Sequence, residues 1–215
     1  MSQRTWTSPE HIRLDGRYVF LAPLEPERDA EALYQVSHGT PEKEAVFQFL
    51  FYGPFDSPDS MRNFLQKEMF GQSAPLVWTV FTKETNTQVG IVALIAIAPT
   101  HGRAEIAHVW FTPSVHKTRI NTESQFLLLS HLFERHHYRR VEWKCDSLNH
   151  ASRTTATRMG FTFEGRFRQH FFVKGRNRDT DWFSMLDKEW LQRQANFERW
   201  LYSKDNISLM ELNNG

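Results

Sequence analysis

Two segments constrain this chain more than any others. The first runs Trp110-Phe111-Thr112-Pro113-Ser114-Val115-His116-Lys117-Thr118-Arg119-Ile120-Asn121-Thr122-Glu123. The second is Asp146-Ser147-Leu148-Asn149-His150-Ala151-Ser152, followed by Met159-Gly160-Phe161-Thr162-Phe163-Glu164-Gly165. Each reads as a strand, a polar loop and a helix N-terminus. A helix start offers backbone N–H groups without intrahelical partners and the positive end of the helix dipole. Two such mouths side by side make an anion pocket next to a hydrogen-bonding pocket. That layout suits a pyrophosphate-bearing group whose other end lies between two strands.

The rest of the pattern fits around these mouths. Residues 1–15 are polar and read as irregular. Tyr18-Val19-Phe20-Leu21 is β-prone, and Glu25-Pro26-Glu27-Arg28-Asp29 opens a helix with Pro and acids in its first turn. Ala30, Leu33 and Tyr34 form that helix's apolar face. A short helix is expected around Val46–Phe51, and Ser57-Pro58-Asp59-Ser60 starts another. Leu76–Thr82 and Gln88–Ala98 read as a hairpin, and Ala104–Phe111 as a third antiparallel strand. Asn121–His137 is helical, Arg140–Cys145 a strand, and Asn149–Met159 a helix ended by Gly160 at C′. Phe161–Lys174 and Thr180–Leu186 pair through the turn Gly175-Arg176-Asn177-Arg178, and Asp187–Leu201 is a last helix before a polar tail. This order predicts a mixed α/β sheet, not a doubly wound βαβα one. The expected organisation is an extension (1–15), one domain (16–190), and a helix end with a polar tail (191–215).

The 26 Lys+Arg and 25 Asp+Glu leave a formal charge of +1, which argues against nucleic acid or an anionic membrane surface as partner. No apolar run approaches the ~18 residues of a membrane span. The single Cys145 excludes an internal disulfide and points to a reducing compartment, the cytoplasm. Its mid-strand position reads as an inert buried thiol rather than a nucleophile. The ten His show no metal-ligand spacing, so no metal is assigned. Arg166, Arg168 and His170 share a strand face against Phe163, Phe167 and Phe171. That alternation reads as a solvated face over a Phe core, with an acidic acceptor or nucleic acid as the functional alternative.

Taken singly, the mouth residues have plain structural explanations. His116, Lys117, Thr118 and Arg119 make a basic loop before a helix capped by Asn121 or Thr122, with Thr122 and Gln125 as a capping box. Asn149 is a good N-cap, and Ser152 lies one turn into its helix.

Together with the Leu-rich helix, Val141–Ser152, Met159–Gly165 and Gly175-Arg176-Asn177-Arg178-Asp179-Thr180, they resemble the GNAT N-acetyltransferase superfamily, and its RimJ/RimL-like branch in particular. The similarity runs from about Tyr18 to Trp190 and is specific over residues 104–186. It implies a largely antiparallel, twisted sheet flanked by helices and splayed between the fourth and fifth strands. It also implies acetyl-CoA as donor and an amine as acceptor. The family's pyrophosphate loop reads Gln/Arg-x-x-Gly-x-Gly/Ala. Here His116, Arg119 and Asn121 stand at those positions, so both glycines are gone, and Arg119 is expected to replace close backbone approach with charge.

The resemblance further implies that Val109, Trp110, Phe111, His116, Lys117, Thr118, Arg119, Ile120, Asn121, Thr122, Asn149 and Ser152 contact the cofactor. Backbone N–H groups of the strand ending at Phe111 polarise the thioester. Asn149 holds the pantetheine arm. The family's tyrosine acid is replaced by Ala156, which leaves Ser152 or water to protonate the thiolate. Glu105 is the expected base, with His108, on the opposite face by strand alternation, as rival. Three readings follow: an acetyltransferase acting on a small-molecule amine or protein N-terminus, a non-catalytic CoA-binding or interaction module, and a nucleic-acid binder using the basic strand. A second copy of the chain, as a homodimer, is a further candidate partner.

Overall fold

The computed structural model describes residues 6–71 and 74–214. Among them, β1 (Leu14–Asp15), β2 (Val19–Pro23), α1 (Pro26–Ser37), α2 (Pro41–Glu44) and α3 (Pro58–Phe64) precede β3 (Leu76–Thr82), β4 (Gln88–Ala98) and β5 (Arg103–Phe111). Then come α4 (Arg119–Ser130), β6 (Arg140–Asp146), α5 (His150–Arg158), β7 (Thr162–Val173), β8 (Arg176–Leu186), α6 (Asp187–Tyr202) and α7 (Leu209–Asn214). The strands form one sheet in the order β1-β2-β3-β4-β5-β6-β8-β7. It is mixed and mostly antiparallel, with helices flanking it, as expected. β5 and β6 run parallel and pair from Arg103↔Arg140 to Ile106↔Trp143. Their ladder goes no further, although β5 continues to Phe111 and β6 to Asp146.

The chain divides into two compact units. The first comprises residues 10–96 and 107–127. Its core gathers Leu24, Ala30, Leu33, Met61, Leu65, Val77, Ile91 and Trp110. Fully burying each large apolar side chain contributes roughly 1.5–3 kcal/mol. α1 begins at Pro26, as its sequence requires. Asp29 in its first turn is fully buried and accepts from Glu25 N–H and from the Thr79 hydroxyl, which ties the helix start to β3. α3 starts in a reciprocal Ser57–Ser60 cap. The helix expected at Val46–Phe51 forms earlier, because Thr40 caps Pro41–Glu44 and leaves only a 3₁₀ turn over Ala45–Phe47.

The second unit comprises residues 6–9, 97–106 and 128–214. α6 buries Trp190, Phe197 and Leu201. α5 ends as predicted, with Gly160 in the left-handed conformation at φ 88°. Three expectations change. The polar tail contains α7, docked by Arg193 and Asn196 donating to Asn213 and Leu212 carbonyls and by Asn213 donating to Arg158. Such docking is polar and leaves little apolar periodicity to read. The N-terminal extension is anchored from Trp6 onward, whose indole N–H donates to His137 carbonyl at 2.6 Å, while residues 1–5 lie outside the described set. Trp6 packs where a Cβ on Gly102 would come within 2.5 Å.

The Phe core beneath β7 is also absent. Phe163, Phe167 and Phe171 are 48, 52 and 41% exposed. β7 is the edge strand, and its register with β8 shifts between Phe163 and Gly165 and between Phe167 and Phe171, which breaks the two-residue alternation.

Candidate active site

In the first unit, the loop after β5 is held from both ends. The His116 imidazole bonds to the Phe111 carbonyl at 3.0 Å, and the Thr118 hydroxyl donates to Val115 carbonyl at 2.7 Å. Lys117 takes the left-handed conformation at φ 59°. Ile120 N–H donates to the Thr118 hydroxyl, so Thr118 occupies the N-cap position expected for Asn121 or Thr122. The helix begins two residues earlier than the sequence suggests, and no Thr122–Gln125 capping box forms. The Gln125 side chain is instead fully buried with both polar atoms unpartnered. Arg119 and Asn121, at the family's glycine positions, lie in the first turn of α4 and have no left-handed backbone. Losing those glycines therefore changes crowding and charge near the helix start, not backbone geometry.

His116, Lys117, Thr118 and Arg119 are exposed, whereas Trp110, Phe111 and Thr122 are buried. Glu123, also buried, accepts from Arg17, Tyr18 and Val19 N–H at 2.8, 2.6 and 2.8 Å, fixing α4 to β2. His108 sits at φ 52°, a kink that breaks the alternation behind its expected opposite-face position. Its ring lies 5.6 Å from Tyr52, and desolvation pushes its pKa down to about 4. It is neutral at pH 7.

The second unit holds Glu105, Asn149 and Ser152. Glu105 is 4% exposed and pairs across the ladder with Glu142. Its carboxylate is bonded by Lys144 Nζ, which also lies 4.0 Å over the Trp182 ring. Burial raises the Glu105 pKa, and Lys144 works against that shift. Arg103 and Arg140 hold Glu142, and Arg140 continues to Glu164. Asn149 caps α5 through Oδ1, which accepts from Ser152 N–H at 3.0 Å, so any ligand contact falls to Nδ2. The Ser152 hydroxyl accepts from the Trp143 indole N–H at 3.0 Å. Cys145 is buried, and desolvation raises its thiol pKa. A buried protonated thiol is a poor nucleophile. Among the described residues, no group of three His, Cys, Asp or Glu could hold a metal, and no helix is long and apolar enough to cross a membrane.

Against known proteins, the profile of the acetyltransferase (GNAT) domain matches residues 19–162, more than half the chain. The chain belongs to the GNAT acetyltransferase family. A GCN5-related N-acetyltransferase structure from Brucella melitensis superposes with a TM-score of 0.94 at 35% identity, covering 100% of this chain and 99% of that one. YdaF of Bacillus subtilis (strain 168), named as a ribosomal N-acetyltransferase, is 25% identical over 183 residues, 81% of this chain and 94% of its own. RimL, the ribosomal L7/L12 α-N-protein acetyltransferase, shares the fold at a TM-score of 0.70 and 23% identity, covering 81% of this chain and 93% of that one. The Brucella and YdaF likenesses agree with an N-acetyltransferase enzyme, and the YdaF likeness with the RimJ/RimL-like branch.

In this GNAT enzyme, sequence reasoning missed Lys144, the residue bonded to Glu105. The alternation Glu142-x-Lys144-x-Asp146 puts all three on one face of β6 and was the available signal. What it lacked was the parallel register that sets Glu105 beside Glu142. Nothing local in the sequence shows that Glu123 reaches β2.

Proposed function

We propose that this acetyltransferase moves an acetyl group from acetyl-CoA to a primary amine, on a small molecule or a protein N-terminus, by direct attack in a ternary complex. The observation that carries the reading is the exposed basic loop His116–Arg119 feeding the opening turn of α4. Amides at a helix start, next to two cations, suit a pyrophosphate. Thr118, Lys117 and Arg119 bind it, with His116 holding the loop and the amides of Ile120, Asn121 and Thr122 donating. Asn149 Nδ2 orients the pantetheine arm. When bound, acetyl-CoA supplies the activated thioester.

The chain's own groups do the rest. Backbone N–H groups at Val109, Trp110 and Phe111 polarise the carbonyl. Glu105 takes the amine's proton, directly or through water, and His108, neutral at pH 7, is the other group able to accept one. The Ser152 hydroxyl, already fixed by Trp143, is the proton donor for the thiolate. Direct attack is supported by Cys145, whose burial and raised pKa suit it poorly to carry an acyl group. The name of the YdaF relative supports keeping protein N-termini among the acceptors.

The test is thiol release from acetyl-CoA with a panel of primary amines and N-terminal peptides. Intersecting double-reciprocal lines are expected. Parallel lines would overturn direct attack, and the absence of acetyl-CoA binding by calorimetry would overturn the donor.

A further inference from the structure

Ser152 is gripped from β6 by two side chains. Trp143 and Cys145 stand two residues apart on β6 and so share a strand face, and both are buried, at 4% exposure. The Trp143 indole N–H donates to the Ser152 oxygen at 3.0 Å, and the Cys145 thiol is hydrogen-bonded to the same hydroxyl. All three residues lie in the second unit.

Each of them is held in place. Trp143 pairs with Phe183 of β8, and its ring lies 5.9 Å from Phe161. Cys145 pairs with Asp181 of β8. The Ser152 N–H donates to the capping Asn149 Oδ1 at 3.0 Å. Trp143 is also the last β6 residue paired with β5, opposite Ile106. Ser152 therefore stands beside the point where those two strands part, and it is half-buried rather than sealed in.

A serine hydroxyl has one proton and two acceptor lone pairs, and an indole N–H can only donate. Trp143 thus fills one lone pair. The second depends on the protonation of Cys145. Burial raises the thiol's pKa, so the S–H is present at pH 7. Were the hydroxyl to donate to the sulfur, the buried S–H would lose its acceptor. With the thiol donating, the hydroxyl proton turns to the open side, where water or a ligand accepts it. The second arrangement leaves no donor unsatisfied.

We infer that Trp143 and Cys145 are positioning residues for Ser152: their N–H and S–H groups fill both lone pairs of its oxygen, so its one proton points away from β6, toward the departing sulfur of the acetyl donor. The inference rests on the acetyl-transfer reading only for what that proton meets. As the acetyl group passes to the amine, the electron pair of the C–S bond collects on the CoA sulfur. The hydroxyl donates to that sulfur, and a proton passed on is replaced from water.

Two measurements on the full chain test this, one of them independent of turnover. The chain has a single cysteine, so without CoA its Raman S–H band belongs to Cys145. A donating thiol has a lower S–H stretching frequency than a free one, so Ser152→Ala should move the band upward. In thiol-release kinetics, Ser152→Ala should lower kcat on the order of 10²-fold. Cys145→Ala and Trp143→Phe, which each remove one donor, should lower it about three- to tenfold with the acetyl-CoA KM unchanged. Cys145→Ser restores a donor and should recover most of that loss, and Cys145→Ala should cost nothing further in the Ser152→Ala background. If Cys145→Ala fails to fold, Trp143→Phe carries the same comparison. A band that Ser152→Ala leaves in place overturns the inference, whatever the turnover. So does a loss in Cys145→Ala that serine does not rescue or that persists undiminished without Ser152, while thiol release itself keeps the acetyl-transfer reading. A band that moves, with no thiol release from any amine, keeps the orientation of the hydroxyl and overturns that reading.

Discussion

Lys144 reaches from β6 to bond the carboxylate of Glu105 on β5, so the group expected to act as base is buried and already ion-paired. The two influences on Glu105 oppose each other. Desolvation disfavours the charged form and raises its pKa, and the ammonium of Lys144 favours it. A carboxylate accepts a proton only above its own pKa. The acid limb of kcat/KM should therefore lie on the high side of the ordinary carboxylate value, whereas His108, at about 4, would put it on the low side. Lys144→Met removes the opposing charge and should move the limb to higher pH. Glu105→Gln should lower kcat/KM at pH 7 by about 10²–10⁴-fold, with acetyl-CoA affinity unchanged. A limb that stays in place in Lys144→Met, with near-normal turnover in Glu105→Gln, would reassign the base to His108 or water.

Asn149 has two separable duties. Oδ1 caps α5, and Nδ2 is the donor assigned to pantetheine. Asp caps as well as Asn but has no amide donor. Asn149→Asp should keep the melting temperature and raise the acetyl-CoA KM, with a smaller effect on kcat, because a contact made equally in ground and transition states affects mainly KM. Asn149→Ala should show the same KM effect plus about 1 kcal/mol of lost stability. A normal KM in both variants would leave Asn149 with the cap alone.

These two cases show where the sequence was legible. Asn149 could be placed because a cap is written in local order: polar residue, helix pattern, Gly160. The mixed sheet could be placed for the same reason, since strand and helix periods and turn residues are local. Lys144 could not, because its role depends on the register between β5 and β6, which no local pattern encodes. β7 failed differently. Its Arg/Phe alternation predicts two clean faces, but two register shifts and an edge position expose Phe163, Phe167 and Phe171. The Thr118 cap was missed because Asn121 and Thr122 compete with it on type alone, and only the hydrogen bond from Ile120 decides among them.

Glu123 is a structural test of the loop. Its carboxylate collects three backbone N–H groups, of Arg17, Tyr18 and Val19. Glu123→Ala would strip all three, at roughly 1–3 kcal/mol for each amide that stays out of water. The expected loss is about 3 kcal/mol by urea denaturation, because Arg17 and Tyr18 can regain water more easily than Val19. Glu123→Gln keeps the shape and should lose less. A loss below about 1 kcal/mol in Glu123→Ala would show that the anchor contributes little.

Glu164 supplies an acid-sensitive contact. Arg140 and the Ser184 hydroxyl hold its pKa down to about 2. A depressed carboxylate stabilises the fold above its unfolded pKa and loses that contribution as pH falls through the folded value. Stability should thus decline between about pH 4.5 and 2 more steeply in wild type than in Glu164→Gln. The side chain is 41% exposed, so screening keeps the effect modest and salt-sensitive. Parallel melting curves for the two proteins across that range would remove Glu164 from the acid response.

Arg119 tests the phosphate assignment most directly. It stands where the family has glycine, in the first turn of α4, and its guanidinium lies 5.7 Å from the Tyr18 ring. Two outcomes are physically open for an arginine there: it blocks the helix start, or it adds charge to it. Reversing the charge tells them apart. If Arg119 binds pyrophosphate, Arg119→Glu should weaken acetyl-CoA about tenfold or more, and Arg119→Gly should weaken it less, since glycine restores close approach while removing charge. Wild-type affinity should also fall as salt rises, more steeply than in Arg119→Gly. If Arg119 obstructs, Arg119→Gly should instead bind more tightly than wild type. Calorimetry on the three proteins, with circular dichroism to show that each is folded, decides the matter. Unchanged affinity in a folded Arg119→Glu variant would take the loop out of the donor site altogether.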